Sequence, residues 1–136
     1  MIEPAQQIEA FMRELPPKAK TALDSLMERR RLPKGAQLFK ELPDSLIFLY
    51  SGEIAFYSEN HELARHGPGT MLGLRSVLEN RPSTIRAVSE EPSEIGAIPA
   101  EDFKYFLERF PAGYMAIARI LGCELQSIYA MLRQEL

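Results

Sequence analysis

The apolar positions change rhythm twice along the chain. Over residues 3–15, Ile8, Phe11, Met12 and Leu15 recur at helical spacing, as one buried face of an amphipathic helix requires. Pro16-Pro17 interrupts that helix. A second helix is predicted from Pro17 to Arg30, with Ala19, Ala22, Leu23, Leu26 and Met27 on its inner face. From Leu32 to Ile98 the pattern is different. Short apolar runs at Gln37–Phe39, Ser45–Tyr50, Ile54–Tyr57, Glu62–Arg65, Thr84–Val88 and Glu94–Ile98 are cut by turn signals. Among these are Pro33-Lys34-Gly35, Ser51-Gly52, Gly67-Pro68-Gly69 and Asn80-Arg81-Pro82. Many short strands at near-regular spacing predict a sandwich, barrel or jelly roll. The early strands have no helical pattern between them, which argues against a parallel βαβ sheet.

Residues 99–136 return to helical spacing. A short helix fits Ala100–Arg109, with Pro99 before it and Glu101 and Asp102 at its N-terminus. Pro111 then opens a long helix running to the C-terminus. Along it Tyr114, Ala118, Leu121, Leu125, Ile128 and Leu132 recur in alternating steps of 4 and 3, a coiled-coil seam that predicts a homodimer interface. The competing arrangement is a helix packed back on its own roll, because Ile117, Ile120 and Met131 widen the stripe. The expected organisation is one domain over residues 1–136. It has N-terminal helices over 1–31, a roll over 32–98, and a short helix plus a long dimerisation helix over 99–136. The fold class is α+β, an antiparallel β-roll of double-stranded jelly-roll type.

Composition narrows the chemistry. The chain has 136 residues, of which 46% are apolar, enough for one core without a metal or disulfide staple. No run approaches the roughly 20 apolar residues needed to span a bilayer. The start MIEPAQQIEAFMREL lacks the basic end and apolar run of a signal peptide. A cytoplasmic protein without membrane contact is expected. Cys123 is the only cysteine, which excludes an internal disulfide and a four-cysteine cluster. A net charge of −3 does not suit a dedicated nucleic-acid binder. The run Arg29-Arg30-Arg31 reads as the solvated end of the second helix, where cations suit the macrodipole.

The segment GTMLGLRSVLENRPSTIRA, Gly69 to Ala87, carries the candidate site. A turn at Gly73, one helical turn, and Arg81-Pro82-Ser83-Thr84 leading into a strand can form an anion pocket. Free backbone N–H groups point outward there, and a guanidinium forks onto phosphate. An ordinary polar turn is the competing reading.

Six ordered pieces extend the argument: LPKGAQLF, DSLIFLYSGEIAFY, LARHGPGTMLGL, RPSTIRAVSE, EIGAIPAEDFKYFLERFP, and the long helix. In this order the chain resembles the cyclic-nucleotide-binding domain of the catabolite-activator and kinase-regulatory-subunit superfamily, from about Leu32 to Leu132. Gly35, Gly52, Gly69 and Gly73 match the family's turn glycines. The resemblance implies a β-roll flanked by helices, a dimerising long helix, and a phosphate-binding cassette at Gly73 to Thr84. It also exposes a departure. The family carries a ribose-binding glutamate after the glycine, where this chain has Leu74, followed by Arg75. The family's phosphate-pairing arginine matches Arg81 if the cassette is shortened, and Ser83 otherwise. In the shortened register Pro82 stands where the family has Ser or Thr, with Ser83 and Thr84 nearby. Gln126 and Ser127, polar positions beside the seam on the long helix, are the candidate base contacts if a nucleotide binds.

The implied function is a regulatory sensor signalling through its C-terminal helix, with a degenerate cassette, whose ligand is a cyclic nucleotide or another small anion. The alternatives are a ligand-independent dimerisation or protein-interaction module, or the sensory part of a transcription regulator whose DNA-binding domain follows the long helix. No catalytic residue and no metal site are expected. His61 and His66 lie five apart without a His-x-His, unlike a metal-binding cupin, and Cys123 lacks the context of a haem ligand or nucleophile.

Overall fold

The computed structural model describes residues 2–79 and 85–133. A 3-10 turn at Pro4–Gln6 leads into α1 (Gln7–Arg13) and α2 (Pro17–Leu26). Among the described residues seven strands follow: β1 (Glu28–Leu32), β2 (Ser45–Ser51), β3 (Ile54–Ser58), β4 (His61–His66), β5 (Met71–Leu72), β6 (Arg86–Ser89) and β7 (Ser93–Pro99). Two short helices interrupt them, α3 (Leu38–Glu41) and α4 (Leu74–Leu78). The chain then continues through α5 (Ala100–Arg109), α6 (Ala112–Leu121) and α7 (Leu125–Arg133). All strand pairings are antiparallel, in a four-stranded sheet of order β1-β7-β2-β5 and a three-stranded sheet of order β4-β3-β6. This is the expected α+β roll with helices at both ends of the chain.

The central strands β2 and β7 of the four-stranded sheet are buried on both faces, which is why β2 reads as a nearly unbroken apolar run. Ile47 and Leu49 face the inside of the roll, where they meet Leu38, Ile54, Ala87 and Ile95. Leu46 and Phe48 face the other way, into a layer with Phe11, Leu23, Phe103 and Ile117. The Phe11 ring meets Phe48 edge-on at 6.2 Å and Phe103 at 5.9 Å, so α1, β2 and α5 share one aromatic contact. Arg119 of α6 also pairs with Glu14 beyond α1.

Three predicted elements are corrected by the structure. The second helix ends at Leu26, not Arg30, and Glu28–Leu32 forms β1 paired with β7. Met27 is extended at φ −88° and ψ 128°, and its side chain occupies the space that Gly96 leaves open, with its sulfur 2.9 Å from the Tyr50 hydroxyl. That anchoring, with Leu32 buried, overrides the helical preference of the Glu-Arg run. Residues 37–39 form no strand: Gln37 makes one isolated bridge to Val88, and α3 turns Leu38 into the roll interior.

The long C-terminal helix is likewise broken. Gly122 takes a left-handed conformation, φ 66° and ψ 33°, and Cys123 N–H closes back on the Ala118 carbonyl at 3.0 Å, a glycine helix stop. α6 and α7 are bent by 104°. Tyr114, Ala118, Leu121, Leu125, Ile128 and Leu132 therefore do not form one continuous seam. Tyr114, Ala118 and Ile128 are buried in this chain's own core, and Leu121, Leu125 and Leu132 are half-buried against it. No described helix is long and apolar enough to cross a membrane.

Gly69 ties the N-terminal segment to the roll. Its φ is +97°, its carbonyl accepts from Ile8 N–H at 2.9 Å, and a Cβ there would collide with the Ala5 carbonyl. Gly69→Ala adds left-handed strain to that collision and is expected to cost about 2–4 kcal/mol. Urea unfolding checks it; an unchanged midpoint contradicts the close approach.

Candidate functional site

The site is built where β5 ends. Gly73 follows Met71 and Leu72 at φ 82° and ψ 6°, at the start of α4. A Cβ there would stand 3.0 Å from the Ser45 carbonyl and 3.2 Å from the Phe39 ring. The left-handed backbone and the tight surroundings both select glycine. They fix the direction in which the chain leaves the sheet.

The next residue turns inward. Leu74 is 5% exposed and joins Val77 and Leu78 in the layer that contains Tyr114, Ile117 and Ile128. A leucine in that position offers no acceptor to a ligand hydroxyl, and its burial leaves it fixed in the core. Arg75 lies on the outer side of α4, exposed, within 3.5 Å of Glu79. That surface pair has small energetic weight. Arg81, Pro82, Ser83 and Thr84 lie outside the described residues. Gln126 and Ser127 are exposed on α7, and α7 touches α4, so the two predicted parts of the site belong to adjoining elements.

Three rings border the site from the roll side; sequence reading named His66 only in setting aside a metal site and did not single out Phe39 or Phe56. Phe39 touches the Gly73 position. Its ring centroid lies 6.4 Å from that of Phe56, and Phe56 meets His66 edge-on at 4.9 Å. All three are half-buried. They come from α3, β3 and β4, so no spacing in the sequence marks them as a group. His66 Nδ1 is buried without a hydrogen-bond partner. Burial holds its imidazole pKa below the ordinary value, since desolvation disfavours the charged ring.

The outer face of the three-stranded sheet is polar and paired. The Tyr57 hydroxyl donates to Glu90, and that bond, with burial second, raises the tyrosine pKa. Arg65 donates to Glu62 at 2.8 Å and also to Glu53, which lowers the Glu62 pKa and raises that of Arg65. These groups pair with one another across the face.

The family model described as cyclic nucleotide-binding domain matches residues 29–110. The cyclic AMP receptor protein of Thermus thermophilus is 28% identical over 109 residues, which are 75% of this chain and 50% of that protein. The chain thus spans about half the length of this curated relative. The crystal structure of the Thermus thermophilus catabolite activator protein superposes with a TM-score of 0.71 at 25% identity, covering 92% of this chain and 62% of that one. The sensor domain of the transcriptional regulator DNR from Pseudomonas aeruginosa gives 0.70 at 17% identity, covering 83% and 85%, a likeness of fold alone.

The depressed pKa of His66 has a sign that can be checked. The unfolded chain takes up this proton first as pH falls, so the native state is penalised by acid. Stability contributed above the ordinary imidazole range is lost as pH falls through the lower folded value. Urea midpoints taken between about pH 7.5 and pH 5 should fall less steeply in His66→Phe than in the wild type. Equal slopes contradict the buried neutral ring.

Proposed function

The chain belongs to the cyclic nucleotide-binding domain family, and from that membership we propose that it is a regulatory sensor that binds a small phosphate-bearing ligand at Gly73–Thr84. Binding there, rather than catalysis, sets the state of its C-terminal helices. The observation that carries this reading is the position of α4. Leu74, Val77 and Leu78 sit in the same apolar layer as α6 and α7, and α4 touches α7 directly. A ligand that draws on the N-terminal end of α4 has to move a helix that the C-terminal elements pack against. Arg81 is the cation we assign to the phosphate, with Ser83 and Thr84 beside it. Gln126 and Ser127, exposed on α7, are assigned to the ligand's far end.

The cassette is degenerate in this proposal. Leu74 is committed to the core, so a ribose hydroxyl finds no acceptor where the family provides a glutamate. An unmade hydrogen bond of this kind costs about 1–3 kcal/mol, which weakens a standard cyclic nucleotide by about 10- to 100-fold. The ligand is either such a nucleotide held weakly or another small anion. We place the protein in the cytoplasm. We retain a homodimer on the partly open Leu121, Leu125 and Leu132 at the α6–α7 corner.

The single cysteine provides the test. Cys123 is free and half-buried between α6 and α7, so a thiol-linked fluorophore reports that corner alone. Titration with cyclic AMP, cyclic GMP and inorganic phosphate, followed by emission and calorimetry, is expected to give saturable but weak binding. The emission change is lost in Arg81→Ala. Sedimentation of the unlabelled protein is expected to give a dimer. Tight cyclic AMP binding overturns the degenerate cassette, binding without an emission change overturns the coupling, and no binding by any of the three overturns the sensor reading. A monomer overturns the dimer.

A further inference from the structure

The free edge of β1 carries a feature that the ligand site does not use. β1 is the end strand of its sheet and pairs with β7 on one side. In an antiparallel ladder, every second residue of such a strand turns its N–H and C=O away from its neighbour. Among the described residues no strand covers that side. Arg29, Arg30 and Arg31 stand on it in succession, in a chain of net charge −3. With Glu94 and Ile95 they line a groove of about 290 Å³.

The three arginines are not equivalent. Arg29 lies over the Tyr50 ring, its Cζ 3.9 Å from the centroid. Arg31 reaches Glu94 at 3.4 Å with most of its side chain in solvent. Arg30 is half-buried, and its side chain makes no ion pair or hydrogen bond among the described residues. Charges on an end strand often serve only to repel other edges. Arg30 is half-buried in the groove with no carboxylate paired to its side chain among the described residues, which leaves a place for a partner's anion.

We propose that this edge docks an extended acidic segment of a partner protein. The segment adds as a further strand beside β1, meeting its outward N–H and C=O groups, and its carboxylates lie on the face that carries Arg30, the opposite face from Arg29 and Arg31. Strand addition supplies the main-chain bonds and register, and arginine forks supply the preference for carboxylate. A nucleic acid fits less well. Its backbone has no N–H for the outward carbonyls, Glu94 stands in the groove against phosphate, and three cations on an acidic chain release few counterions.

Fluorescence anisotropy tests this with a labelled peptide of alternating Glu and Val, its Lys–Val counterpart, and an oligo-dT of matching length. The Glu–Val peptide is expected to bind, to weaken as salt rises, and to weaken further when a central proline removes a ladder donor. Arg30→Glu is expected to reduce its affinity about tenfold or more, with the thermal melt of the variant verifying its fold. Arg30→Gln provides the same readout, with a smaller loss, should Arg30→Glu fail to fold. No saturable binding of the Glu–Val peptide, equal binding by the folded variants, or tighter binding of oligo-dT overturns the proposal.

Discussion

The structure depends on a shared apolar layer that holds α4 in place. Five residues are too few to keep a helix in water by themselves, so α4 exists because Leu74, Val77 and Leu78 are buried with Phe48, Ile117 and Ile128. Its position is therefore decided by the sheet on one side and by α6 and α7 on the other. Protein interiors are packed as densely as organic crystals, and a displaced α4 cannot be absorbed by loose space around it. The site and the C-terminal corner are two ends of one packing problem.

The four-stranded sheet relates the two surfaces that matter. Its order β1-β7-β2-β5 puts the basic edge of β1 at one end and β5, which delivers Gly73, at the other. The two central strands, β7 and β2, are the ones buried on both faces. A partner on β1 and a ligand at Gly73 would thus act on opposite margins of the same rigid element, without competing for residues.

Much of this was readable from the sequence, for physical reasons that also mark where reading failed. Gly35, Gly52, Gly69 and Gly73 announced turns, and all four have positive φ. The continuous run Ser45–Tyr50 announced a strand, and it lies buried between two apolar layers. β1 was illegible because its one buried apolar residue, Leu32, ends a run of arginines that scores as helix, and because the space that admits Met27 is left by Gly96, far along the chain. The C-terminal spacing was read correctly as apolar, but a period says which residues are buried and not by what. Gly122 was the visible signal of the corner, and its left-handed cap decided the outcome. At the site, Gly73 could be placed in advance. The inward turn of Leu74 depends on packing against α6 and α7, and Phe39 of α3 meets the β3–β4 hairpin that carries Phe56 and His66 only through tertiary packing, which no local pattern encodes.

The most direct test of the shared layer is native-state hydrogen exchange on a Val77→Ala variant. Val77 is 4% exposed on α4, and its truncation removes packing without adding charge. If α4 and α7 rest on one layer, their amides should lose protection together and by similar factors, while β3 and β4 change less. Loss of protection in α4 with α7 unaltered would contradict the account, because the cassette would then be free to move without the C-terminal helix.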